Sequence, residues 1–238
     1  MADSIEFQGL LAYASNVSTG SVVWERTRVP LFPLPDIVLF PTMRLPLHVF
    51  EPRYRQMVSD VLAGDRLIAV PRLKPGFAED YYESPAIFEV CGVGRITRHR
   101  ALADGRFDIV VEGIARAELE EEASTAPYRV ARVRRLEDKV DANPMTVTAV
   151  KHEVWHLLGQ LLPYLSEPDD RLESLAADAG GAGEAADALA SVLVSDPDLR
   201  QRLLEELDPA ERLAQLIPRL HELLRLAGAE TAAPRTLN

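Results

Sequence analysis

Cysteine is almost absent from this chain: Cys91 is the only one in 238 residues. A lone thiol excludes a disulfide within the chain and a zinc cluster built from several cysteines, and it suits a reducing compartment. Long apolar runs are missing too, and no stretch approaches the ~20 residues that span a bilayer. Basic residues are outnumbered, 26 against 37 acidic ones, for a formal net charge of −11. Proteins that hold phosphate backbones carry a basic footprint, so this balance argues against nucleic acid as the partner. The first basic residue is Arg26, so the chain lacks the basic n-region of a secretory signal. The expected location is cytoplasmic. No phosphate-cradling Gly-x-x-x-x-Gly-Lys-Ser/Thr loop occurs; Gly180 to Gly183 lack the lysine and the hydroxyl.

What is present is an ordinary globular composition, 47% hydrophobic and 26% charged, with length for one large domain or two small ones. The most informative stretch is Pro30 to Met57, PLFPLPDIVLFPTMRLPLHVFEPRYRQM. Leu31, Phe32 and Leu34, then Ile37, Val38, Leu39 and Phe40, form two short runs cut by Pro33, Pro35 and Pro41 before either could become a helix. They read as two strands. Leu45, Leu47, Val49 and Phe50 read as the next one. Pro52 suits a first helical turn, where its missing N–H costs nothing. Tyr54, Met57, Val58, Val61 and Leu62 then recur at helical spacing, with Gly64 as the stop.

Further along, Leu67 to Val70 reads as a buried strand. Phe88, Val90, Gly92, Gly94 and Ile96 alternate with Glu89, Cys91, Val93, Arg95 and Thr97. Two glycines on one face suit a curved strand against which other backbone packs closely. Asp104-Gly105 is a hairpin signal, and Tyr128 to Leu136 reads as one more strand. The period then changes to 3.6. Asn143-Pro144, Asp196-Pro197 and Asp208-Pro209 each open a helix, the last with Glu211 spaced for a capping box. The chain is therefore expected to be α+β: an extension over 1–28, a β-barrel over 29–140, a helical bundle over 141–227 and a flexible tail over 228–238.

The motifs Pro30 to Leu34, Val38 to Pro41, Leu45 to Leu47 and Phe50 to Tyr54 resemble the start of the Lon protease N-terminal, substrate-binding domain. Asp104 to Arg116, Pro127 to Asp138 and Asp208 to Leu216 continue the likeness in the family's order. The likeness is greatest to stand-alone bacterial proteins that carry this domain without the protease. It implies a PUA-like barrel, no cofactor, no ATPase or serine–lysine dyad, and a polypeptide or protein partner, with a link to protein quality control. The partner-contacting candidates are Phe50, Glu51, Arg53, Tyr54, Tyr81 and Tyr82, because aromatics often anchor interfaces. The competing expectation for Phe50 to Tyr54 is structural: two aromatics packed at a strand-to-helix corner, with Glu51 and Arg53 tying the turn.

Two other chemistries compete. His152-Glu153-Val154-Trp155-His156 matches the HExxH pattern, in which histidines one turn apart hold zinc and the glutamate acts as base. Leu162 stands where the longer form of that motif has its third histidine, leaving Glu173 or Glu184 as substitutes. On a helical wheel both histidines oppose the Val150, Val154, Leu157, Leu161 stripe and face solvent, so a solvated helix face is the favoured reading. Arg95, Arg98, His99 and Arg100, with Arg129, Arg132, Arg134 and Arg135, would serve an RNA-binding face, or simply pair with Glu112, Glu118 and Glu120 across a sheet.

Overall fold

The computed structural model describes residues 27–78, 84–139, 144–164 and 181–232. The chain divides into two compact units, Met1–Leu136 and Glu137–Asn238.

In the first unit, six strands form one antiparallel sheet: β1 (Arg28–Pro30), β2 (Arg44–Val49), β3 (Leu67–Val70), β4 (Val90–Ala101), β5 (Phe107–Glu122) and β6 (Val130–Leu136). The order is β1-β6-β5-β4-β3, and β2 adds to β5 beside His48–Asp108 and its neighbours. The two ends of this path meet. Leu31 bridges Ala69, and the Phe32 N–H donates to the Ala69 carbonyl at 2.8 Å. The sheet thus closes on itself.

Helix α1 (Pro52–Leu62) starts with Pro52 in its first turn after an extended Glu51, as its sequence predicts. It buries Tyr54, Met57, Val58 and Val61 against Leu39, Ile68, Val70, Ile96, Ile109 and Val111. Each fully buried side chain of this size contributes about 1.5–3 kcal/mol. A second cluster gathers Val29, Leu31, Leu67, Ala69, Cys91, Val93, Ala117 and Val133. Strand β3 therefore feeds both cores: Leu67 and Ala69 one way, Ile68 and Val70 the other. That accounts for its unbroken apolar run. Strand β4 sends Cys91 and Val93 into one cluster and Ile96 into the other, as alternation predicts, while its register with β5 shifts at Val93/Gly94 and Ile96/Arg98. Burial pushes the Cys91 thiol far up, a backbone hydrogen bond at Val70 offsetting only part of it.

The run Ile37 to Phe40 is not the strand that its composition suggests. It lies outside every ladder, because Pro33, Pro35 and Pro41 deny it a regular row of donors. It runs instead as an irregular segment pressed onto β4 and β5. Its tight partners are glycines. A Cβ added at Gly92 would overlap the Leu39 carbonyl and sit 2.7 Å from the Leu39 Cβ, and one at Gly113 would overlap the Phe40 carbonyl. At the predicted hairpin between β4 and β5, Gly105 takes φ +81°, where a side chain is disfavoured.

Among the described residues, the second unit contains α2 (Pro144–Leu161), a short 3-10 turn (Leu162–Tyr164), α3 (Ala182–Leu193), α4 (Pro197–Glu205) and α5 (Pro209–Ala232). Helices α2 and α3 each pack on α5 through buried Val154, Leu157, Leu158, Leu161, Leu189, Leu193, Leu213, Leu216 and Leu220. Asp196 caps α4 by accepting from the Asp198 N–H at 3.0 Å. Asp208 caps α5 through the Ala210 N–H at 2.9 Å. The return half of the expected capping box goes elsewhere: the Asp208 N–H donates to Glu206 Oε1 at 2.8 Å, not to Glu211. Arg212 is 1% exposed. It donates to both Asp138 oxygens at 2.8 and 2.7 Å and to the Glu206 carbonyl at 3.2 Å, with Asp187 3.7 Å away. Among the described residues, no helix is long and apolar enough to cross a membrane.

Candidate functional site: a cleft beside Tyr54

The first turn of α1 faces the loop that joins β5 to β6, and the segment Leu31 to Pro33 runs between them. These pieces enclose an open cleft of about 310 Å³ lined by Leu31, Pro33, Arg53, Tyr54, residues 121–124 and residues 126–129. Tyr54 is 6% exposed, with its ring 4.5 Å from that of Phe32 and the Arg53 guanidinium 4.6 Å above it. Arg53 Nε donates to Glu51 Oε2 at 3.0 Å, so this pair ties the turn as its spacing predicts. Across the cleft, Arg129 donates from Nε and Nη2 to the Glu121 carboxylate at 2.7 and 2.6 Å, and from Nη1 to the Pro85 carbonyl at 2.8 Å. Tyr128 donates to Asp60 Oδ2 at 2.8 Å; burial first, and the Asp60 carboxylate second, push its hydroxyl up to about 12. Arg53 and Arg129 are matched by Glu121 and Glu122, so the lining is neutral overall and partly apolar, suited to an uncharged polypeptide stretch.

Of the six candidate residues, Arg53 and Tyr54 line this cleft and Glu51 braces it from behind. Tyr81 and Tyr82 lie outside the described residues. Phe50 does not join them. The expected packing of Phe50 at the corner is absent: its side chain is 61% exposed and stacks on His48, ring centroids 6.4 Å apart. The cleft's other wall, Glu121 to Arg129, escapes sequence reasoning because only the β5–β6 pairing brings it to α1.

Around His48 the polar contacts are ordered. The Arg106 Nη1 donates to His48 Nε2 at 3.0 Å, so the imidazole proton sits on Nδ1 and is donated to Asp108 Oδ1 at 2.7 Å. Arg100 grips the other Asp108 oxygen at 2.7 Å. Burial works to raise the Asp108 carboxyl, but the hydrogen bonds from His48 and Arg100 outweigh it and hold the group below its ordinary range. Its stabilising contribution is therefore complete above the unfolded value of about 3.9 and is lost as pH falls through the lower folded one. Asp108→Asn should cost about 1–3 kcal/mol near neutrality, and urea titrations should show the gap to the parent closing below about pH 4. A pH-independent gap contradicts this assignment.

The competing sites are not assembled. His152, Glu153 and His156 sit on the exposed side of α2, and His156 Nε2 lies 2.8 Å from Gln160. Glu184 opens a different helix, α3, also exposed, and Glu173 lies outside the described residues. Among the described residues no cluster of three or more histidine, cysteine, aspartate or glutamate side chains could hold a metal. Three arginines of the expected RNA face are engaged across the sheet: Arg129 with Glu121, Arg132 with Glu122 and Glu120, and Arg134 with Glu118. Arg28 joins the same row through Glu122 at 2.6 Å.

Known proteins similar to this chain in sequence and in fold point one way. The family described as "ATP-dependent protease La (LON) substrate-binding domain" matches residues 28–222. A Lon protease of Trichlorobacter lovleyi is 29% identical over 199 residues, 82% of this chain and 24% of that protein. Lon protease 2 of Bdellovibrio bacteriovorus is 30% identical over 196 residues, 78% and 23% respectively. This chain thus spans about a quarter of the length of such relatives. Among solved structures, the N-terminal domain of Mycobacterium avium complex Lon protease superposes with a TM-score of 0.62 at 18% identity, covering 82% of this chain and 99% of that one. A Lon N-terminal domain protein from Xanthomonas campestris gives 0.55 at 25% identity, covering 81% and 98%. The resemblance seen in Pro30 to Tyr54 is thereby borne out: the chain belongs to the LON substrate-binding domain family.

Proposed function

We propose that this protein is a non-catalytic polypeptide-binding module of the cytoplasm, built as a PUA-like barrel followed by a helical bundle, which holds a partner chain in the cleft beside Tyr54 in the service of protein quality control. The observation that carries the reading is the convergence of Arg53, Tyr54, Tyr128 and Arg129 on one neutral, partly apolar cleft. Strand addition is the other way such a sheet could take a peptide. The two ends of the sheet path are joined through Leu31 and Ala69, and Pro46 interrupts the donor row of β2, a device that discourages edge pairing. The cleft is the better mouth.

Its test fills the space without touching the core. Ala123 is exposed on the cleft rim, so Ala123→Trp should fold with an unchanged melting temperature. Binding of a fluorescein-labelled, permanently unfolded polypeptide, followed by anisotropy, should weaken about tenfold, or about 1.4 kcal/mol. Parent-like affinity in this variant, or no binding by the parent, overturns the proposal.

A further inference from the structure

Phe50 follows β2, fully outside the cleft, and its surroundings are distinctive. His48, Asp108 and Arg100 stand side by side on β2, β5 and β4, and Arg106 reaches His48 from the β4–β5 turn. Arg98 precedes Arg100 by two residues on the same strand, hence on the same face; its Nη1 is buried with no hydrogen-bond partner among the described residues. Arg55 donates from Nε to the Gly105 carbonyl at 2.6 Å, adding its charge at the turn. Arg55, Arg98, Arg100 and Arg106 bring four guanidinium groups to this face, with Asp108 pairing Arg100 and Asp104 pairing Arg106. This cationic excess sits on a chain whose net charge is −11. The side chains of His48, Arg100 and Arg106 are 42%, 40% and 45% exposed, beside a phenylalanine that has been left in water.

We propose that this face, separate from the cleft, is a docking surface for an acidic polypeptide segment that also carries apolar side chains. An apolar side chain of the partner covers Phe50, and its carboxylates meet the exposed guanidinium groups of Arg100 and Arg106. The chemistry follows from the patch. A lone exposed aromatic gains from burial, and a cationic surround selects partners by charge, raising the encounter rate and rejecting basic segments. The Arg106–His48–Asp108–Arg100 chain holds the patch in one arrangement, so little ordering is required on binding.

The test uses the full chain and two short fluorescein-labelled peptides, one alternating glutamate and leucine, the other lysine and leucine. Anisotropy should show binding of the acidic peptide only, weakening as salt is raised. Phe50→Ser, at an exposed position, should keep the parent melting temperature and bind about tenfold more weakly. Arg106→Gln should give a smaller loss and a shallower salt dependence, and Ala123→Trp at the cleft should bind the acidic peptide as the parent does. Equal binding of both peptides, or full affinity in Phe50→Ser, overturns the proposal. So does a dimer in light scattering that Phe50→Ser dissolves, because the patch is then covered by a second copy of this chain.

Discussion

Arg212→Met should destabilise the C-terminal unit by about 3–5 kcal/mol, the usual consequence of removing one partner from a buried charge network. The guanidinium is 1% exposed, and Asp187, beside it, is 6% exposed. Without Arg212, the buried Asp187 carboxylate loses a guanidinium 3.7 Å away, and Asp138 loses a bidentate partner that fixes the chain as it enters the helices. Trp155, on α2, supplies a fluorescence readout within this unit. Urea unfolding followed by that signal should show the midpoint falling sharply. Adding Asp187→Asn to Arg212→Met should recover part of the loss, since a neutral amide then replaces the buried carboxylate that faced Arg212. If the single variant unfolds with the parent, or if the double is worse by the full sum of the singles, the network is not what holds these helices.

The second large effect concerns the glycines beneath Leu39 and Phe40. Gly92→Ala and Gly113→Ala should each cost about 3 kcal/mol or prevent folding, at the upper end of what overpacking costs. The obstacle in both cases is a backbone carbonyl, not the end of a pliable side chain. Gly159→Ala is the internal comparison: it lies within α2, where an added Cβ meets nothing within 4 Å. That change should stabilise by about 0.5–1 kcal/mol, the ordinary helix preference for alanine. Thermal melts of the three variants separate the ideas, and a Gly92→Ala protein as stable as the parent would remove the close approach from the account.

Much of this architecture was legible from local chemistry. Pro52 at a helix start, Asp104-Gly105 at a turn, and the Asp-Pro pairs before α4 and α5 each act within a few residues, so sequence alone reveals them. Features made by distant segments were not legible. The spacing of Phe50 and Tyr54 fits one corner, yet Tyr54 turns into the core and Phe50 into solvent, because the helix starts between them. Arg212 sits among Leu213, Leu216 and Leu220 with no sign of its burial, since its partners come from before α2 and from α3. The wall from Glu121 to Arg129 gains meaning only through its approach to α1. The glycines of β4 announced a close contact but not which backbone would fill it.

The closure of the sheet also has a temporal side. Arg28 pairs with Arg132, and the Leu31 N–H donates to the Arg129 carbonyl at 2.8 Å, so β1 must wait for β6, the last strand of this sheet to be made. Until β6 emerges, Val29 and Leu31, both fully buried in the finished fold, have nowhere dry to go. Non-local closure of this kind slows folding and leaves apolar chain open to other binders in the meantime. During its own synthesis, a protein of a substrate-binding family thus resembles the unfolded chains we propose it holds.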